Sequence, residues 1–202
     1  MGRTFRAVVT STAVLTLTLA LVSGEASSAT PRLSSELVSA NQMPKGWSVT
    51  SPTGSVQAGC LSDVVGLSHV LFVKGIKQSS SAQIFFEDNQ SIPAAAEMLA
   101  TYTNATGAYT KIVASLNGCK HVSGDILGKT VTGTMKTKVF AHYGNESQAF
   151  TANTLIMGNK IDVDVLIARK GNVIVGVMEG GLPGFSVRQF QNLIAKAIAK
   201  IH

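Results

Sequence analysis

Apolar and polar side chains alternate with a period of two over most of residues 131–178. In the segment 161–167, Ile and Val occupy every odd position, and Asp162 and Asp164 stand between them. Successive side chains of a β-strand point to opposite faces, so this pattern is typical of antiparallel strands with one face on a core and one toward water. Turn-forming residues separate the alternating segments. The region therefore predicts a meander of four strands that ends with residues 173–177.

Two longer helices are predicted, one before this meander in the sequence and one after it. The first, over 91–118, begins with a serine N-cap, a proline in its first turn and the helix-favouring alanines 94–96. Its apolar positions recur at spacings of three, four and seven residues, and Gly107 predicts a kink or a break in its middle. The second helix follows a capping box at 186–189 and carries an apolar face over 190–201.

The remaining segments complete an α+β fold. A short helix is predicted to open at Ser34, and an extended segment follows at 47–49. Residues 70–73 fit either a buried strand or the last turn of a helix. The serines 79–81 predict a loop, and 84–86 predict a strand. The expected architecture is an antiparallel sheet of about four to five strands packed with two to three helices.

Residues 1–29 have the composition of a secretory signal peptide. Two arginines supply positive charge near the N-terminus, an uncharged run extends over 7–22, and small residues close the segment. We place cleavage after Ala29, so that 30–202 form a single domain in the cell envelope or outside the cell. An uncleaved N-terminal anchor is the alternative, and no later stretch is apolar enough to span a bilayer.

Composition narrows the classes of partner. Hydrophobic residues make up 45% of the chain, which excludes the intrinsically disordered class. The net charge is +6, but lysines and arginines are scattered along the sequence. A nucleic-acid-binding domain concentrates them on one face with aromatic residues between them. We therefore expect a globular domain that does not bind nucleic acid.

Cys60 and Cys119 are the two cysteines of the chain. In an exported protein an even number of cysteines favours a disulfide, and a loop of this length gives roughly 4 kcal/mol of stabilisation in the chain-entropy estimate. A metal site or a catalytic thiol is the alternative interpretation. A metal site requires further ligands, and the one histidine close to Cys119 is His121. We expect a structural disulfide, with no metal and no cofactor.

Familiar catalytic motifs are absent from the sequence. It contains no phosphate-binding glycine loop, no GxSxG nucleophile elbow and no HExxH zinc motif. One hypothesis is a hydrolytic site formed by His142 with Asp162 or Asp164. The competing interpretation is that both aspartates face water on the polar side of their strand. We expect no catalytic residues and a protein that is not an enzyme.

Several short motifs resemble a family of actinobacterial exported proteins. The first half has a helix followed by Met43-Pro44-x-Gly46-Trp47, a cysteine soon afterwards and a second cysteine in Leu116-Asn-Gly-Cys119. The second half has Gly144-Asn-Glu-Ser147, strands around Arg169-Lys-Gly-Asn-Val173 and the closing helix. Over residues 33–202 the chain is similar to the PknH-like extracellular domain. That domain is the sensor portion of a mycobacterial serine/threonine kinase and also occurs in stand-alone exported proteins.

The resemblance implies a central antiparallel sheet flanked by helices, with a cleft for an unidentified ligand. This chain differs in having no kinase domain, a single pair of cysteines instead of two disulfides, and Glu25 where a lipobox would have cysteine. We expect a secreted, non-enzymatic, sensor-like protein that holds a small molecule, a lipid or a partner protein in a mostly apolar cleft. A hydrolase around His142 and a structural or adhesive surface protein are the alternatives.

Overall fold

An antiparallel sheet forms the centre of the molecule. In a computed structural model of the protein, the described residues are 31–51, 71, 73–88, 94–126, 129–156, 158–183 and 187–202. The strands are β1 (Trp47–Thr50), β2 (Gln78–Asp88), β3 (Ala94–Tyr102), β4 (His121–Ile126), β5 (Lys129–Lys138), β6 (Glu146–Ile156), β7 (Asn159–Lys170) and β8 (Val173–Gly181). The helices are α1 (Pro31–Glu36), a 3₁₀ helix (Ala40–Gln42), α2 (Ala105–Gly118) and α3 (Val187–Lys200).

The predicted meander is confirmed, but it supplies only half of the sheet. Strands β5 to β8 follow one another, and Gly158 and Gly171 take φ values of +81° and +61° at two of the turns, a region that favours glycine. The full strand order is β1-β2-β3-β8-β7-β6-β5-β4. The sheet has eight strands rather than the four to five expected, because residues 78–102 and 121–126 add strands that lack a clear alternation.

Residues 94–102 form strand β3, so their prediction as part of a long helix is wrong. β3 is hydrogen-bonded to β2 on one side and to β8 on the other, and residues 95–100 are all buried. Alanine favours an isolated helix by at most about 0.7 kcal/mol per residue over most other residues. Pairing with two strands outweighs that preference, and the small side chains fit between layers on both faces. The helix begins only at Ala105.

Ser79–Ser81 lie in β2 rather than in the predicted loop. The hydroxyl oxygens of Ser80 and Thr101, which are register partners on β2 and β3, lie 2.6 Å apart. Such a cross-strand hydroxyl pair compensates for the weak strand preference of serine. The strand predicted at 84–86 is confirmed, as is the extended segment that begins at Trp47.

Helices cover both faces of the central strands. α2 packs on one face through residues such as Ile112, and α1 and α3 pack on the other, where Phe190 is fully buried. All of residues 163–168 in β7 and 173–177 in β8 are buried. The prediction that one face of each meander strand meets water is therefore wrong for these two strands. Their near-continuous apolar sequence is typical of strands that are covered on both sides.

Some predictions concern residues outside the described ranges. They include the signal peptide over 1–29, Cys60, and part of the segment 70–73. Cys119 directly follows α2 and is 2% exposed. It is the single cysteine among the described residues, so no disulfide joins two of them, and its pairing with Cys60 stays a prediction. The extent of the domain over 30–202 stays a prediction as well.

Candidate functional site

A cavity of about 300 Å³ lies where the 3₁₀ helix, α3 and the end of β8 meet. We call it the α3 pocket. Most of its lining side chains are polar or charged, whereas the expected cleft is mostly apolar. The described lining residues are Gln42, Met43, Pro44, Glu179, Arg188, Gln189, Asn192, Leu193 and Lys196.

Glu179 is the most unusual group in the lining of the α3 pocket. The alternation of β8 places its side chain on the same face as Val175 and Val177, beneath α3. The residue is 1% exposed, and neither carboxyl oxygen has a hydrogen-bond partner among the described residues. Burial, followed by the charge of Asp164, raises the pKa of Glu179 to about 8. The unliganded pocket therefore holds a protonated carboxyl group at neutral pH.

Asp164 lies directly beside Glu179, because the two are register partners on β7 and β8. Asp164 is 3% exposed, but its carboxylate forms an ion pair with Lys138, with 2.6 Å between Oδ2 and Nζ. A paired, hydrogen-bonded carboxylate is the form in which a buried charge is ordinarily tolerated. Lys138 thus satisfies Asp164 and leaves Glu179 as the carboxyl group without a partner.

Two lysines of α3 bond to the chain between α1 and the end of the 3₁₀ helix. Lys196 Nζ donates to the carbonyl oxygen of Gln42, and Lys200 Nζ donates to the carbonyl oxygen of Leu37. These contacts fix one wall of the α3 pocket relative to the other. Arg188 is exposed at the pocket and forms no hydrogen bond or ion pair with any other described residue. Its guanidinium group is available to a ligand.

A second, larger hollow of about 580 Å³ lies on the outer strands β5 to β7. Three of its polar side chains are already hydrogen-bonded: Asn153 Nδ2 donates to Asp162 Oδ1 at 2.7 Å, and Thr154 Oγ1 donates to the carbonyl oxygen of Ile161 at 2.9 Å. It contains no buried polar group that lacks a partner among the described residues. The α3 pocket is therefore the stronger candidate site.

In the part of the chain that the structure describes, no group of three or more His, Cys, Asp or Glu side chains is placed to hold a metal ion. Within the same ranges, none of the helices is both long enough and apolar enough to cross a membrane.

Comparison with solved structures finds a similar fold. The extracellular domain of PknH from Mycobacterium tuberculosis superimposes with a TM-score of 0.63 at 15% sequence identity, over 84% of this chain and 94% of that domain. The chain has the PknH-like extracellular domain fold. An uncharacterised Mycobacterium smegmatis protein, the Rv0999 ortholog, matches with a TM-score of 0.48 at 13% identity, over 80% of this chain and 92% of that one. The sequence matches no family model and no curated protein.

The resemblance that the short motifs indicated is thus confirmed for the fold. The PknH-like architecture accommodates a sequence that is only 15% identical, because it depends on a pattern of buried positions more than on particular side chains. The residues that line the α3 pocket therefore have to be interpreted from their own chemistry in this chain.

The structure describes His142 and both aspartates of the hydrolytic hypothesis. His142 is exposed, and no hydrogen bond or ion pair joins it to another described residue. The nearby Tyr143 N–H donates to Ser147 Oγ, and Ser147 lies opposite Ala168, four positions along β7 from Asp164. Because four strand residues span about 13 Å, Asp164 lies about that far along β7 from the position opposite Ser147.

The two aspartates of that hypothesis also differ from each other. Asp162 accepts from Asn153, whereas Asp164 is buried and paired with Lys138. The interpretation that both aspartates simply face water is therefore wrong for Asp164.

Sequence reasoning overlooked Glu179 and Arg188. A signal for Glu179 is present, since it continues the inward-facing series Val173, Val175 and Val177 of β8, and a carboxyl group at an inward position is rare. The sequence carries no comparable signal for Arg188, because the strand end and the helix meet at this pocket only through tertiary packing.

Proposed function

We propose that this PknH-like domain is an extracytoplasmic, non-catalytic, sensor-like binding domain, and that the α3 pocket is its ligand site. The observation that carries the proposal is the Glu179 carboxyl group, which is 1% exposed and has no hydrogen-bond partner among the described residues. Burial of a polar group without a partner costs free energy. A ligand that supplies the missing partner recovers that free energy on binding.

The extracytoplasmic location is supported by two independent features. The PknH region that shares this fold is described as an extracellular domain. Residues 1–29 have the charged start, apolar run and small-residue end of a signal peptide.

A binding role, rather than covalent catalysis, is supported by the composition of the pocket. The described lining residues include no serine, cysteine, histidine or tyrosine, and the amine of Lys196 already donates to the carbonyl oxygen of Gln42. Amide groups from Gln42 and Asn192 supply hydrogen-bonding positions without catalytic chemistry.

Native mass spectrometry of the protein purified from an actinobacterial host tests this proposal. We expect a noncovalent adduct that is released on denaturation. Replacement of the exposed Asn192 by tryptophan fills the α3 pocket and should remove the adduct. The matched control is Ala195→Trp, also exposed on α3 but not among the residues that line the pocket, and it should retain the adduct.

Equal retention of the adduct by both variants would place the ligand elsewhere and overturn the assignment of the pocket. Absence of any adduct, together with failure of every probe described below to bind, would overturn the binding role itself.

A further inference from the structure

The α3 pocket contains two groups of opposite charge type that are not paired with each other. Glu179 is buried and Arg188 is exposed, and both line the same cavity. Neither has an ion-pair or hydrogen-bond partner among the described residues. The cavity of about 300 Å³ between its walls leaves space for a small molecule that contacts both groups.

Resting on the proposed function, we infer that the α3 pocket binds a small zwitterion of the amino-acid type, whose ammonium group pairs with Glu179 and whose carboxylate pairs with Arg188. The guanidinium group presents parallel donors that match the two oxygens of a carboxylate. The ammonium group supplies the hydrogen bonds that the buried carboxyl group lacks.

Ligands with only one kind of charge fit the pocket less well. A simple cation meets Arg188 and Lys196, which both line the pocket, and it approaches a protein whose net charge is positive. A simple anion gains from those cations, but it brings no hydrogen-bond donor to the unpartnered carboxyl oxygens of Glu179. A zwitterion presents an ammonium group to Glu179 and a carboxylate to Arg188.

The pH dependence of binding follows from the ionisation of Glu179. Its pKa is about 8 without ligand, so an ammonium group has to displace a proton when it binds at lower pH. The charged groups around it are Asp164 with its partner Lys138, Arg188 and Lys196 from α3, and Glu97 on β3. We expect affinity to rise between pH 6 and pH 8 by up to about tenfold per pH unit.

The test uses the mature protein. A thermal-shift assay screens the proteinogenic amino acids, and each one that raises Tm is then titrated calorimetrically. Each of these is compared with the amine that lacks its carboxylate and with the acid that lacks its amino group. We expect both analogues to bind at least tenfold more weakly than the parent. We also expect the parent to bind more tightly at pH 8 than at pH 6.

Two variants probe the two ends of the ligand. Glu179→Gln and Arg188→Gln should each weaken binding at least tenfold, and Glu179→Gln should also abolish the increase with pH. Glu87→Gln on β2 and Lys111→Gln on α2 are charge-matched controls outside the pocket lining, and both should bind as the wild type does. Arg188 is exposed, so its variant tests the inference even if Glu179→Gln fails to fold.

An analogue that binds as tightly as its parent amino acid, or an affinity that falls as pH rises, would overturn the inference. If no amino acid binds but native mass spectrometry shows an adduct that Asn192→Trp removes, the binding site stands and the zwitterion class is wrong. If neither a probe nor an adduct is found, the inference and the proposed function both fail.

Discussion

Three buried carboxyl groups lie on the face of the sheet that α1 and α3 cover. Glu97, Asp164 and Glu179 are exposed by 0%, 3% and 1%, respectively, although acidic residues are almost never fully buried without a partner. Asp164 forms an ion pair with Lys138, and one oxygen of Glu97 accepts a hydrogen bond from the Val38 N–H at 2.7 Å. Glu97 therefore attaches the residues after α1 to the central strand β3, whereas Glu179 contributes no internal bond of its own.

Replacement of Glu97 by glutamine should change how stability depends on pH. Burial raises the pKa of Glu97 from 4.5 to about 7, partly offset by the Val38 hydrogen bond and the charge of Lys200. Above pH 4.5 the unfolded chain has released this proton and the folded chain still holds it. The free energy of unfolding should therefore fall as pH rises from 4.5 to about 7, by on the order of 3 kcal/mol, and then level off.

Urea unfolding of the wild type and Glu97→Gln between pH 5 and pH 8 measures this effect. In Glu97→Gln the free energy of unfolding should fall less steeply as pH rises. The remaining fall comes from Glu179 and should disappear in the double variant Glu97→Gln with Glu179→Gln. Glu87→Gln is the matched control on the neighbouring strand and should follow the wild-type curve. Parallel curves for the wild type and Glu97→Gln would contradict the assignment.

At the scale of single elements, the start of α2 explains how the helix was misread. Asn104 is its N-cap, and Asn104 Oδ1 accepts from the Gly107 N–H at 2.9 Å. Gly107 therefore lies in the first turn of a helix of 14 residues, not at a kink in the middle of a longer one. A Cβ at Gly107 would lie 2.6 Å from Asn104 Nδ2, so glycine permits the cap to form.

Loss of this cap should destabilise the protein. Asn104→Ala removes the side-chain acceptor for the Gly107 N–H, and the expected cost in the free energy of unfolding is about 1 kcal/mol. Asn117→Ala, near the C-terminal end of the same helix, is the control and should cost less, since alanine has a higher helix propensity. Denaturant unfolding with a shared m-value measures both, and an equal loss in the two variants would argue against the capping role.

In β3, by contrast, the conformation differs from the local preference of the sequence. Its alanines are strong helix formers, yet the strand lies between β2 and β8 and is buried on both faces. At its end, the Tyr102 hydroxyl donates to the carbonyl oxygen of Leu71, and burial raises the pKa of this tyrosine. This contact holds Leu71 in the core on the α2 side.

At the scale of the whole molecule, the fold has three layers. α2 lies on one face of the eight-stranded sheet, and α1, the 3₁₀ helix and α3 lie on the other. The α3 pocket forms in the second helical layer, where Lys196 of α3 donates to the 3₁₀ helix and Lys200 donates to the residues just after α1. The pocket therefore depends on how residues 42–44 are placed relative to the end of β8 and to α3.

Reduction should lower the stability of the whole protein if Cys60 and Cys119 pair as predicted. Cys119 follows α2 and is buried, so the bond would attach that helix end to a segment distant in sequence. The entropic contribution is roughly 4 kcal/mol, and Tm should fall by several degrees or more in a reductant. Thermal unfolding with and without reductant measures this. Cys60→Ser should show no further response to reductant, and an unchanged wild-type Tm would contradict the pairing.

Local patterns in the sequence determined the meander β5 to β8, the closing helix α3 and the α+β class. In each of these elements, the period of the apolar residues or the turn residues decides the conformation within a few neighbouring positions. The same patterns predicted β1 and the strand at 84–86, and the short motifs indicated the PknH-like fold.

Only tertiary structure decided the other half of the sheet and the candidate site. The alanines of β3 and the serines of β2 adopt strands because partner strands are available on each side, which local propensity cannot specify. The burial of Glu179 depends on α3 covering β8, and its proximity to Arg188 arises at the same packing interface. The sequence alone determined which segments alternate, and the packing of helices on both faces determined which charged groups came to share a pocket.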